Sequence, residues 1–333
     1  MKIFGMKILM ACCALVSTAL QADCTLDTSG EADRGPPVTF ILPAQVLSIS
    51  ADKPVDTSMP FATLISPLAG HAVTYINCTP GVPYGGTPFG LPTPDGNNMY
   101  PTNIQGVSMK IRWDNGSVKK DIPYSASLPL QLSRIVYKAD SYFVVELFKT
   151  TEVLSLVTNK ENVVFNGGDV AYNFIGVNSI SNFAQKLNLG KITLNSTPAC
   201  TFESTKNIDF NTVTPTLADS GVERPLDFEM NCRTDYGKYS VLASVIADAR
   251  TPDGKYITVT DAGGNNDRLR IEIRDNEGAS VAVDGTSLRK AISNDKVPAQ
   301  FKWTATLSSL GKTGKRPTGG KFDASAEIVL QVN

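Results

Sequence analysis

The chain has 333 residues, of which 42% are hydrophobic and 19% charged, below the roughly one quarter usual for a globular protein. Lys plus Arg number 31 and Asp plus Glu 32, a balance that excludes the basic footprint of a nucleic-acid or anionic-membrane binder, while the apolar content excludes a disordered chain. At roughly 150 residues per domain the length predicts two domains, each able to bury a core.

Residues 1–22 read as a secretory signal. Lys2 and Lys7 precede an uncharged apolar run from Ile8 to Leu20, which is shorter than the ~20 residues that span a bilayer. Small residues place cleavage after Ala19 or Ala22. Export leaves Cys24, Cys78, Cys200 and Cys232 in the mature protein, and an even count in an exported chain predicts disulfides. Four cysteines allow three connectivities. Local pairing, 24 with 78 and 200 with 232, puts one bridge in each predicted domain. No CxxC occurs and His71 is the one histidine, so no zinc or other metal site is expected, and no cofactor.

The mature chain continues as short strands divided by turns. Val38–Leu42 and Val73–Ile76 are compact β-favouring runs. The stretch Thr79–Pro101 is so rich in Pro and Gly that a long loop is expected, without a central strand. Val107, Met109, Ile111 and Trp113 alternate with polar residues up to the turn Asp114-Asn115-Gly116, the period of a half-buried strand. Leu128, Leu130, Leu132 and Ile135 suggest another strand region, Tyr142–Phe148 a further strand, and Val163–Phe165 one that ends at Asn166-Gly167-Gly168. Ile180–Leu189 reads as a short helix or irregular. A linker is expected at 195–198. The strand pattern then restarts with Val241–Val245, Leu269–Arg274 and Phe301–Ala305. The last residues alternate most cleanly: Phe322, Ala324, Ala326, Ile328, Leu330 and Val332 share one face.

The C-terminal residues carry a recognisable set. Cys200 and Cys232, the strand and turn Leu269–Gly278, and the Gly-x-Phe-x-Ala-x-Ala element from Gly320 to Ala326 stand in that order. Together they resemble the pilin domain of chaperone–usher fimbriae over about residues 199–333. The penultimate residue is Val332, where that family usually has Tyr. Tyr100–Arg112 and Tyr142–Thr150 resemble, less sharply, strands in the receptor-binding domain of two-domain tip adhesins of type 1 and type 3 fimbriae. The mannose-pocket residues of the type 1 adhesin have no match here.

The resemblance implies an all-β protein of two immunoglobulin-like β-sandwich domains. Residues 23–194 would be a receptor-binding domain, and 199–333 an incomplete pilin fold lacking its last strand. Gly320, Phe322, Ala324, Ala326, Ile328, Leu330 and Val332 would then dock a strand supplied first by a periplasmic chaperone and later by an adjacent pilin subunit, after passage through an outer-membrane usher. Only a few residues precede Cys24 after cleavage, with no alternating donor strand, so the subunit is expected to accept a strand, to give none, and to sit at the fimbrial tip on the cell surface.

A ligand site would need aromatic platforms beside amides and carboxylates, which read sugar faces and hydroxyls. Tyr84, Phe89, Asp95, Asn97, Asn98 and Tyr100 have that composition. Asp114 and Asn115 beside Trp113 form a second group, and Asn166, Asp169 and Tyr172 a third. Trp113 continues the inward set of its strand and reads as core. Asp253 and Asp261 read as solvated turn residues. The receptor expected is a host glycan or matrix protein. Two other readings are a structural adaptor pilin without receptor, and a secreted carbohydrate-active enzyme, which would need paired carboxylates on adjacent strands.

Overall fold

The computed structural model describes residues 24–31, 33–310 and 316–333. The signal segment lies outside them. Apart from one short helix, Pro215–Ser220, the described elements are strands.

The first domain is a β-sandwich. One sheet runs in the order Tyr124–Ser127, Pro83–Pro88, Gly168–Ile175, Phe183–Leu189, Val38–Leu42. The facing sheet runs Ala62–Ile65, Tyr142–Lys149, Val107–Asp114, Tyr100–Pro101. Phe40 meets Phe143 edge-on at 5.3 Å across the gap, and Trp113 donates from its indole to Gln185 Oε1 at 2.6 Å. Trp113 is core, as its strand period requires. Two parallel strand pairs follow one another along the chain: 38–42 runs beside 185–189 in the first sheet, and 45–50 beside 192–197 in a separate three-stranded sheet.

Three expectations are corrected. Pro83–Pro88 is a strand between two neighbours, despite its composition. Its prolines stand at the two ends of the strand, where a missing N–H does least harm to the ladder. Its central glycines admit close neighbours: a β-carbon at Gly85 would overlap the Tyr124 carbonyl oxygen, and one at Gly86 would lie 2.5 Å from the Tyr124 ring. Residues 183–189 are a strand too, not a helix. The inward Gln185, held by Trp113, obscures its alternation. Leu130 and Leu132 lie exposed in a loop between the strands Tyr124–Ser127 and Ile135–Tyr137.

Both bridges join their nearest partners, Cys24 to Cys78 and Cys200 to Cys232. Asn195–Thr197, expected as linker, belongs to the strand Ile192–Thr197, and the next strand is Ala199–Phe202. Pro198 alone separates them.

The second domain packs a large sheet on a small one. The large sheet runs Ala199–Phe202, Val222–Arg233, Ala299–Ser309, Leu269–Arg274, Tyr256–Val259. The small one runs Arg289–Asn294, Lys238–Ile246, Glu327–Val332. Phe228, Phe301 and Trp303 form an aromatic cluster at its centre, with Phe228 stacked on Phe301 at 4.9 Å.

Candidate functional site: an open apolar cleft

Among the described residues the strand Glu327–Val332 pairs on one side only, with Lys238–Ile246. Ala199–Phe202 likewise pairs on one side only, with Val222–Arg233. These two edges flank a cleft of about 710 Å³ that runs between the sheets. Leu226, Phe228, Val245, Ile257, Ile271 and Leu330 form its apolar part, and charged residues such as Glu203, Lys206 and Glu229 line it too. An unpaired strand edge beside a groove with apolar side chains in its wall invites a further strand.

The terminal alternation places the side chains as expected. Ile328, Leu330 and Val332 are half-buried and pack on the core, while Glu327, Val329 and Gln331 face out. The continuous strand from Phe322 does not form. Phe322 is half-buried against the core. Asp323 exchanges two backbone bonds with Thr260 of the large sheet, at 3.0 and 3.1 Å. Ala324 and Ala326 lie exposed in the crossing between sheets. The strand starts only at Glu327 because the chain must first cross from one layer to the other.

Gly320 has a backbone reason. Its φ is +136°, and a β-carbon there would lie 2.6 Å from that of Ala262, so both conformation and contact select glycine. The segment around it is held by Asp261. Although read from sequence as a solvated turn residue, Asp261 is buried. Its carboxylate accepts the Thr318 amide at 2.8 Å, the Gly263 amide at 2.9 Å and the Asn265 amide at 3.0 Å. The Thr318 amide foremost holds this carboxyl well below the usual range, against the opposing effect of burial. Asp261 thereby fixes the run 317–323, which lines a second hollow of about 670 Å³ that shares Ile208, Phe210, Phe322 and Asp323 with the cleft.

The residues expected to bind a ligand do not converge. Tyr100 is fully buried and donates its hydroxyl to the Ile122 carbonyl at 2.8 Å. Asp95 accepts the amides of Asn97 and Met99 at 2.8 and 2.9 Å, and Asn98 takes a positive φ of 60°. That turn satisfies itself and leaves Asn97 exposed. Tyr84 is half-buried in the strand Pro83–Pro88 and packs on the core. Asp114 is buried, accepting from Tyr142 at 3.0 Å and from the Gly116 amide at 2.8 Å. Asn115 closes the same turn by accepting from Ser117 and Val118. The strand Val107–Asp114 starts beside Gly106, which accepts from Thr150, and ends at this turn. Asp114 and Asn115 therefore cap the end of the sandwich away from Pro198. Tyr100 pairs with Met109 in the other half, and the Asp95 turn lies just before it. Asp169 is paired to Lys186 at 2.9 Å. Among the described residues no group of three or more His, Cys, Asp or Glu is placed to hold a metal.

In the wall of the cleft opposite the terminal strand, Leu226, Phe228 and Ile257 were not singled out by sequence, whereas Ile271 lies in the strand Leu269–Arg274 read there. The alternation within Val222–Arg233, where Leu226, Phe228, Met230 and Cys232 point inward, is the signal that would have found half of it.

Residues 188–333 match the family described as Fimbrial protein. No curated protein sequence matches the chain. Among solved structures, the receptor binding domain of the plasmid-born adhesin MrkD1P of Klebsiella pneumoniae is 17% identical, covers 53% of this chain and 96% of that one, and has a TM-score of 0.40. The CupB6 tip adhesin from Pseudomonas aeruginosa is 14% identical over 93% and 94% of the two chains, with a TM-score of 0.38. A chain of the CsuC–CsuE chaperone–tip adhesion subunit complex of Acinetobacter baumannii is 9% identical over 93% and 100%, with a TM-score of 0.42.

Proposed function

With a C-terminal segment that matches the fimbrial-protein family, we propose that this chain is a tip adhesin of a chaperone–usher fimbria. The observation that carries the reading is the apolar cleft of about 710 Å³ bordered by a strand paired on one side. A periplasmic chaperone fills it first and a neighbouring pilin subunit later, each adding a strand beside Glu327–Val332. The outer-membrane usher exports the subunit to the fimbrial tip.

The position at the tip is supported by what stands before the cleft. In a subunit that passes a strand onward, a free extended segment is needed ahead of the cleft-bearing domain. Here Ile192–Thr197 is locked into the first domain by its ladder to Gln45–Ser50. The first domain is a sandwich with its own core and bridge, suited to hold a receptor, a glycan or matrix protein, rather than to polymerise. The Asp114–Asn115 turn, at the end away from the cleft, and the exposed Asn97 turn are the two candidate contact points.

The test has two arms. Co-expression with the chaperone should yield a one-to-one complex of the full chain. Residues 23–198 on a glycan and matrix-protein array should bind at least one class of receptor. Complex formation with a blank array would favour an adaptor pilin, and failure of the complex would remove the fimbrial reading itself.

A further inference from the structure

The turn that joins Val222–Arg233 to Lys238–Ile246 enters the base of the first domain. Asp235 is 2% exposed. One carboxylate oxygen accepts the Leu154 amide at 2.7 Å, and the other accepts the Ser196 hydroxyl at 2.5 Å. Its backbone carbonyl accepts the Leu156 amide at 3.1 Å. The Lys149 ammonium lies 3.9 Å from the same carboxylate, with both side chains 1% exposed, and donates to the Ala51 carbonyl at 3.0 Å. Next in the chain, the Tyr236 hydroxyl accepts the Ser196 amide at 3.1 Å.

Each of these partners belongs to the first domain, and they come from separate segments at 51, 149–156 and 196. The turn is held as firmly on its own side. The Thr234 amide donates to the Asp295 carboxylate at 2.7 Å, the Asp295 amide donates to the Gly237 carbonyl at 3.0 Å, and the Lys296 amide donates to the carbonyl of the bridged Cys232 at 2.9 Å.

A buried ion pair is costly to form and more costly to break one-sidedly. If the domains swivelled about Pro198, Lys149 would lose its charge partner, and the Leu154 and Leu156 amides their acceptors. The orientation that keeps both charges partnered is therefore strongly preferred. Burial lowers the proton affinity of Lys149, and the Asp235 charge works against that. We propose that Asp235 is an interdomain key: it locks the two sandwiches into one rigid body, so that the first domain is presented in a fixed direction and not on a hinge. The proposal does not depend on which receptor is bound or on what fills the cleft.

The test uses the full chain in the assembly in which it is recovered from the cell. Residual dipolar couplings of the wild type should fit one alignment tensor for both domains. Asp235→Ala should require two tensors of different magnitude, and should speed exchange of the Ser196 and Leu156 amides about tenfold. Arg233→Ala, which removes the part-exposed pair with Glu152 and leaves every bond of Asp235 in place, should leave one tensor. Two tensors for the wild type, or one for Asp235→Ala, would overturn the proposal. Should Asp235→Ala fail to fold, Asp235→Asn removes the charge that faces Lys149 and keeps the side chain's shape. Two tensors for that variant support the key, and a single tensor overturns it.

Discussion

At the scale of single residues, one glycine and two carboxylates show how small groups hold large features. Gly85 is an interior position where any side chain meets backbone, the Tyr124 carbonyl. Gly85→Val should destabilise the fragment 23–198 by about 1–3 kcal/mol in denaturant unfolding, the usual cost of overpacking. Gly96→Ala has open space around it and should change stability by less than about 0.5 kcal/mol. Asp261 makes a different prediction. Its folded-state carboxyl titrates below its unfolded value because the Thr318, Asn265 and Gly263 amides favour the anion. Its stabilising contribution is thus complete above the unfolded pKa of about 4, and is lost as the pH falls from there toward the folded value. Asp284, held down by the Thr286 hydroxyl and amide, acts in the same direction. The thermal midpoint of the cleft-bearing domain should fall as the pH drops from about 4 to about 2. Asp261→Asn should flatten that fall and lower the midpoint at neutral pH.

At the scale of elements, the terminal strand is the clearest case. Ile328→Asp with Leu330→Asp puts two charges on the face that packs against the core beside the cleft, at several kcal/mol if unpaired. The complex with the chaperone should fall below detection in pull-downs. Val329→Asp changes the outward face, 41% exposed, and should leave recovery unchanged. Equal recovery of both variants would show that side-chain alternation in this strand does not govern docking. This alternation was legible in sequence because it is local. So were Val107–Asp114 and Tyr142–Lys149, whose inward residues follow the strand period. The strand Pro83–Pro88 was hidden because its glycines answer to Tyr124, about forty residues on. The strand Phe183–Leu189 was hidden by Gln185, a polar residue facing inward to meet Trp113. Most of the far wall of the cleft and the key at Asp235 escaped for one reason: their partners are distant in sequence. Asp235 binds Ser196 and Leu154 at separations of 39 and 81 residues. The scattering of Tyr100, Asp114 and Asp95 has the same origin, since composition reports which residues a loop holds and not which way the fold turns them.

At the scale of the whole molecule, the two domains differ in completeness, and their stabilities should differ accordingly. Residues 24–198 hold a sandwich with its own core and bridge, and a fragment 23–198 keeps Ile192–Thr197 whole; a cut at 194 would sever its ladder to Gln45–Ser50. The fragment loses Asp235 but keeps the other bond of Lys149, to the Ala51 carbonyl. It should be monomeric and melt in one cooperative step. Residues 199–333 present the open cleft and two half-paired edges, which in isolation favour association between copies. They should aggregate or remain bound to a strand-donating partner. Addition of a donor-strand peptide should restore a monomer and raise the midpoint with peptide concentration, by mass action on the folded state. Size-exclusion chromatography and calorimetry on both fragments read this directly. A monomeric 199–333 that melts cooperatively without peptide would show that the cleft closes on itself, and the case for strand acceptance would fall with it.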